Sequence, residues 1–334
     1  MTEQSDKSHR HPTMQDVAAR AGVSQMTVSR VMRKNAPVSD DVAARVHGAA
    51  AALGYVHNRI AGGLAGRSSG LVGVILPTLG NRVFTEVLSG VADGLAASGA
   101  RPLFGVTEYS PGDEAALIAD LMSWRPMGLI VTGLEHAPAA RALLMNADIP
   151  VAEIMDTDGN PVSAAFGFSQ AAAGAGMARH LLEKGHRSFG YIGARLGADL
   201  RAAKRLAAFV DTIRAAGGRL VTEAIGEVPS SMTEGRSLAA RLWHDARPDA
   251  IYCANDDLAA GALMHFLGQG VRVPQDVALA GFNGLDFLDA LPQRITTTRT
   301  PRHEIGRRAA LHVASGGAAG VVDLGFDLIA GETS

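Results

Sequence analysis

The chain has a single cysteine, Cys253, among 334 residues. One thiol excludes an internal disulfide framework and fits a reducing compartment. It lies in the apolar run Ile251-Tyr252-Cys253-Ala254, so it reads as buried filler rather than as a nucleophile. Aromatic residues are scarce at 5%, and charged residues, at 19%, are few. No apolar run approaches the roughly 20 residues that a helical membrane span requires. Residues 1–12 are polar, end in proline and lack the apolar core of a signal peptide. They are expected to form a disordered tail, on a chain that is cytoplasmic and has no membrane partner. His9 and His11, without further ligands nearby, read as solvated rather than metal-bound. Enzyme signatures are also missing: there is no P-loop, no Gly-x-Ser-x-Gly and no His/Cys/Asp set at metal spacing. Gly174-x-Gly176 lacks a third glycine at the right offset and lies inside a helical run, which points to close helix packing. His180 and His186 straddle a helix end, where capping or solvation explains them. The expectation is a protein that is not an enzyme and needs no cofactor or metal.

What is present begins with an uneven charge. Residues 1–69 hold nine Lys/Arg and five Asp/Glu, whereas the remainder holds 22 and 28. A basic module on an acidic body is the split expected of a DNA-binding head with a separate body. Within the basic module, Met14, Val17, Ala18 and Ala21 recur at helical spacing, and Gly22 breaks the helix. Ser24 is an N-cap for a second helix over about Gln25 to Arg33. That helix turns Val28, Val31 and Met32 inward and leaves Gln25, Met26, Ser29, Arg30 and Arg33 outside. This is a helix-turn-helix, whose second helix enters the DNA major groove. Ser24, Thr27, Ser29, Arg30 and Arg33 are candidates for phosphate or base contacts, and Gln25 and Met26 for sequence readout. Ser39 caps a third helix, Asp40 to Leu53, whose apolar stripe of Val42, Val46, Ala49, Ala50 and Leu53 completes a small head over 13–57.

The words Asp16-Val17-Ala18, Ala21-Gly22-Val23-Ser24 and Thr27-Val28-Ser29-Arg30-Val31 closely resemble the headpiece of the lactose/galactose repressor family of bacterial transcription regulators. Residues 58–70, with Gly62, Gly63, Gly66 and Gly70, read from composition as a linker. The resemblance implies that Asn58 and Arg59 open a hinge helix in which Ala61 and Leu64 take part, with Leu64 wedging into the DNA minor groove. An apolar wedge of that kind unstacks a base step and kinks the duplex. This chain departs from the pattern at Gly62-Gly63, two poor helix formers in a row, each costing about 1 kcal/mol against alanine.

From Leu71 short apolar runs alternate with helical stretches in two similar sets, before and after Gly167. That is β-α repetition, hence parallel sheets covered by helices. A strand near Thr296–Thr298 and a helix near His303–Val313 read as a return into the first half. With the resemblance, the expected fold is a small all-α helix-turn-helix headpiece plus an α/β periplasmic-binding-protein-like clamshell of two doubly wound parallel-sheet subdomains. The first would comprise about 71–168 and 299–318, the second about 169–298 and 319–334. Residues 321–334 carry no leucine heptads, which favours a homodimer over a coiled-coil tetramer.

Parallel sheets bind ligands at the C-terminal ends of their strands. Loops there offer Asn81 and Phe84, Asp156, the stretch Arg195 to Arg205, Asn255-Asp256, and Asn283. The resemblance ranks them. Arg205 matches the family's effector-gripping arginine, three residues before Ala208, where the family has glycine. Asn255-Asp256 matches its Asn-Asp, Asp156 a sugar-hydroxyl acceptor, and Asn283 a position usually held by aspartate. The family's third-loop aromatic platform is replaced by Ser230 and Ser231. Less negative charge, more hydroxyls and an arginine favour an anionic, hydroxyl-rich ligand, since guanidinium grips carboxylate bidentately. The runs L-P-T-L-G-N-R-V-F-T-E-V-L-S-G, I-G-A-R-L, C-A-N-D-D-L-A-A-G-A and D-L-G-F resemble the gluconate-utilisation repressors within the family. The resemblance implies a dimer on double-stranded operator DNA, controlled by a sugar-acid effector such as gluconate or a phosphorylated derivative.

Overall fold

The computed structural model describes residues 12–32, 38–56 and 69–334. The tail, Arg33, and the hinge candidates Asn58, Arg59, Ala61 and Leu64 lie outside the described residues, as does the Gly62-Gly63 pair. The described residues fall into two compact units, a head within the first 67 residues and a body from Ser68 onward.

The head holds three helices, α1 (Met14–Ala21), α2 (Gln25–Met32) and α3 (Asp40–Leu53). Thr13 and Asp16 form a reciprocal capping box at the start of α1. Gly22 closes α1 at φ 65°, a left-handed conformation in which a Cβ would be strained. Ser24 Oγ accepts from the Thr27 backbone N–H at 3.1 Å and so starts α2. Arg45, on α3, donates to the carbonyls of Ala21 and Gly22, at 2.6 and 3.3 Å, and ties the turn to the third helix. Val17, Ala18, Ala21, Val28, Val31, Val46, Ala49 and Ala50 form one buried cluster between the helices. Ser39 stands at the expected N-cap of α3, but its side chain makes no capping hydrogen bond.

The body contains two lobes. In the first, β1 (Leu71–Leu76), α4 (Val83–Leu95), β2 (Arg101–Val106), α5 (Pro111–Ser123), β3 (Gly128–Thr132), α6 (Pro138–Met145), β4 (Val151–Ile154) and β5 (Ala164–Gly167) follow in order. The second runs through α7 (Gln170–Glu183), β6 (Ser188–Ala194), α8 (Leu200–Ala215), β7 (Arg219–Gly226), α9 (Met232–Asp245), β8 (Ala250–Cys253), α10 (Asp256–Gly268) and β9 (Ala278–Ala280). Then come β10 (Thr297–Arg299), α11 (Arg302–Ser315), β11 (Gly320–Asp323) and β12 (Asp327–Ile329). The first sheet has the order β11-β5-β4-β3-β1-β2 and the second β7-β6-β8-β9. Neighbours within both are parallel.

Each sheet reverses its winding once, at β1/β3 and at β6/β8. A crevice opens outside the strand ends at such a switch point, which is where ligands dock on this architecture.

Two boundaries differ from the expected ones. β5 is a fifth strand, after β4, too short and too alanine-rich to stand out as an apolar run. The chain also stays in the first lobe past residue 318, because β11 pairs with β5 from Gly320 to Asp323. It crosses back only afterwards, when β12 pairs antiparallel with β10 and the Thr333 hydroxyl donates to the Leu279 carbonyl. The edge strand Gly-Val-Val-Asp is mostly exposed, so its pattern gave no buried-strand signal.

The Gly174 reading holds in detail. A Cβ there would lie 2.1 Å from the Arg205 carbonyl oxygen, so only glycine lets α7 and α8 approach this closely. Among the described residues, no helix is long and apolar enough to cross a membrane.

Candidate functional site

The head presents α2. Its Gln25, Met26 and Arg30 are exposed, Met26 at 68%, while Ser29 and Thr27 are half-buried. The Ser24 and Thr27 hydroxyls lie 2.9 Å apart, and Ser24 is also spent on the cap. The polar face therefore consists of Gln25, Met26, Ser29 and Arg30, ordered by the apolar residues behind it.

In the body, the loops from the two switch points enclose three adjoining cavities of about 310, 50 and 40 Å³. The innermost is lined by Asn81, Phe84, Arg205, Asn255 and Asn283, so five of the expected effector residues meet there. Arg205 reaches it from the first turns of α8. Its guanidinium donates to Gln170 Oε1 at 2.5 Å and to the Ala254 carbonyl at 3.1 Å, and stacks 3.8 Å from the centre of the Phe282 ring. A planar cation fixed on three sides in this way costs little further ordering when it grips an anion. Asn255 caps α10 by accepting from the Leu258 N–H at 3.0 Å, which leaves its amide group as the donor end. Asn81 likewise accepts from the Val83 N–H at 3.1 Å. Asn283 holds φ 118°, and its carbonyl takes a donated bond from Arg302.

The two aspartates do not join this wall. Asp156 is fully buried, accepting from Lys204 Nζ at 2.6 Å and from the Asp158 N–H at 2.9 Å. Burial raises its pKa, against the pull of the Lys204 ammonium. Asp256 is fully buried too, accepting from the Thr297 hydroxyl at 2.7 Å and from the Leu285 N–H at 2.8 Å. Desolvation pushes it up to about 7, opposed by those two hydrogen bonds. Asp256 pins the loop after β9 to the strand β10. The Asp156 oxygens, expected to receive sugar hydroxyls, are instead bonded within the protein, as are those of Asp256.

Other residues take the vacant places. Tyr109, after β2, lines all three cavities with φ 63°. Burial, with Asp199 nearby, pushes its hydroxyl up to about 12, so at neutral pH it is a neutral donor. It supplies the aromatic wall that Ser230 and Ser231 do not. Arg201 lines the outer and inner cavities, and Arg195 the middle one. Asp199 caps α8 through the Ala202 N–H at 3.3 Å and stands 3.6 Å from Arg201. Arg201 was legible as the residue one helical turn before Arg205. Tyr109 carried no periodic or motif signal.

Beside the outer cavity, buried His136 lies between two carboxylates. Its Nδ1 is 2.8 Å from Glu114 and its Nε2 3.2 Å from Glu153. Burial lowers its pKa, but both hydrogen bonds outweigh that and raise it to about 9. Among the described residues, no group of three or more His, Cys, Asp or Glu is placed to hold a metal ion.

Residues 13–58 match the model for bacterial regulatory proteins of the lacI family, and residues 178–316 match the periplasmic binding protein-like domain. The HTH-type transcriptional regulator GntR of Pseudomonas aeruginosa is 38% identical over 97% of this chain and 96% of its own length. The regulator of the same name from Escherichia coli is 34% identical over 89% of each. Among solved structures, a lacI-family transcriptional regulator from Silicibacter pomeroyi superposes with a TM-score of 0.91 at 41% identity. That superposition covers 96% of this chain and 99% of the other.

Proposed function

The chain belongs to the lacI family of bacterial regulatory proteins and is a DNA-binding transcriptional regulator; on that premise we propose that it is a repressor whose effector is a sugar acid, gluconate or a phosphorylated relative. The observation that carries the ligand reading is the charge on the cavity walls. Arg201 and Arg205 line the innermost cavity with the single carboxylate of Asp199, whereas the other two cavities also carry Glu114, Glu135 and Asp257. The carboxylates of Asp156 and Asp256 are withdrawn from them, into internal bonds. Two guanidiniums against one carboxylate at the innermost wall favour an anion, and the amides of Asn81 and Asn255 with the Tyr109 hydroxyl suit the hydroxyls of a sugar chain.

The repressor works as a homodimer in the compartment that holds the DNA. Two copies of α2 read a pseudo-palindromic operator, and the two-fold symmetry of the protein mirrors that of the site. Ligand seated between the lobes favours one lobe arrangement and disfavours the operator-bound one. A few kcal/mol of differential affinity is enough to empty the operator.

Isothermal titration of the full chain with gluconate, 6-phosphogluconate and glucose tests the ligand reading. The two acids are expected to bind and glucose not to. Binding of glucose alone would overturn the sugar-acid assignment and leave a regulator of a neutral sugar.

A further inference from the structure

We propose that Lys204 is a positioning residue that latches the two lobes of the body together and sets how far the cleft stands closed. Lys204 lies on α8, in the second lobe, between Arg201 and Arg205. It does not line the cavities with them. Its ammonium instead crosses to the first lobe. There it donates to Asp156 Oδ2 at 2.6 Å, to the Asp158 carbonyl at 2.6 Å, and to the Glu135 carboxylate. An ammonium has three donors, and all three are taken by one lobe while the side chain is rooted in the other. Burial lowers the Lys204 pKa, but the bonds to Asp156 and Glu135 outweigh it and hold the group above the ordinary lysine value.

One acceptor, Glu135, makes the contact a latch; Asp156 and Asp158 stand beside the crossing segment, where the Ala171 N–H donates to Asp158 Oδ2 at 2.7 Å. Among the described residues, other hydrogen bonds between the lobes sit on the crossing segments: Gln170 donates to the Met155 carbonyl at 2.6 Å, and Arg302 joins Glu86 to the carbonyls of Asn283 and Gly284; away from them, Arg82 lies 5.3 Å over the Phe287 ring. Glu135 is instead on the loop after β3, at the wall of the outer cavity and away from any crossing strand. A rotation of the lobes about the crossing segments moves Lys204 farthest from Glu135, because Asp156 and Asp158 lie close to those segments. The same first turns of α8 carry Arg201 and Arg205, so the residue that fixes the helix against the first lobe sits among those that grip the ligand. Lys204 faces two carboxylates with one positive charge and is 23% exposed, so added salt weakens the latch.

This inference concerns the lobes and not the chemistry of the effector, so its test uses no ligand. Spin labels are placed on cysteines introduced at exposed Met145, in the first lobe, and His244, in the second. The native Cys253 is buried, its thiol pushed up by desolvation, and stays unlabelled. Pulsed dipolar spectroscopy on the full chain then reads the distribution of inter-lobe distances. Lys204→Met is expected to move it to longer distances and broaden it, while Lys204→Arg stays with the parent. Glu135→Gln removes a half-exposed partner, leaves the buried Asp156 bond in place and is expected to produce a smaller shift in the same direction. It also carries the test should Lys204→Met not fold. Added salt is expected to shift the parent but not Lys204→Met. Distributions for Lys204→Met and Glu135→Gln that superimpose on the parent would overturn the proposal.

Discussion

In the head, Gln25, Met26 and Arg30 stand out into solvent on a helix of eight residues. In the body, Arg205 is 7% exposed and braced by Gln170, Ala254 and Phe282. Both regions end in a guanidinium, but they prepare it differently. The head orders its arginine from behind, through an apolar cluster, and leaves the charge in water. The body removes its arginine from water and must give it neutral partners. A charge left in water interacts weakly and is screened, whereas a buried one interacts strongly and must be partnered. The head is therefore suited to many modest contacts with a phosphate backbone, and the cleft to few strong ones with a small ligand.

Removing the buried guanidinium is the largest test of that contrast. Arg205→Met should weaken sugar-acid binding by about 2–5 kcal/mol, the range for truncating one partner of a buried charged pair. Ligand-free operator binding should be kept, because the head does not rely on this residue. Titration and a mobility shift on the same preparation check both halves. Loss of both together would mean that the two regions are not separable.

The second test asks whether buried charge also holds the body together. His136 has a folded pKa of about 9 against an ordinary 6.5. The raised value means that its contribution to stability is complete below about pH 6.5 and is lost as pH rises through 9. The shift corresponds to about 3 kcal/mol at most. Asp256, raised to about 7, acts in the same direction at lower pH, between its ordinary value and 7, so the interval from pH 7 to 9 isolates His136. Both tryptophans, Trp124 and Trp243, belong to the body, and their fluorescence during urea unfolding reports it alone. The parent should lose stability across that interval and His136→Asn should not.

The smallest effect belongs to the exposed side. Arg30→Ala should weaken operator binding by about 1–3 kcal/mol. If Arg30 meets a phosphate, the salt slope should also fall by about one unit, with the ranking of operator sequences unchanged. A loss confined to one operator position would instead make it a base reader.

The same contrast explains what was legible. The head is made of local interactions: the Thr13–Asp16 box, the left-handed Gly22 and the Ser24 cap each act within four residues, and spacing alone exposes them. What escaped there was Arg45, which reaches back 24 residues to the Ala21 carbonyl. In the body the β-α alternation showed the fold class, and strand ends located Asn81, Phe84, Arg205, Asn255 and Asn283. Neither the β5–β11 pairing nor Tyr109 left such a trace. One joins segments more than 150 residues apart, and the other is a lone aromatic in a loop.

The sequence by itself determined the helices of the head, the two α/β halves and the loop from Arg195 to Arg205 at the cleft, in which the family resemblance singled out Arg205. The helices and halves follow from periodicity, capping and residue type, which act along the chain. Only the tertiary structure decided which polar groups the cleft keeps for a ligand. Asp156 and Asp256 have the chemistry of ligand acceptors, but Lys204, 48 residues away, and Thr297, 41 residues away, claim their oxygens. A buried carboxylate must be satisfied by whatever the fold brings near it, and no local pattern records that choice.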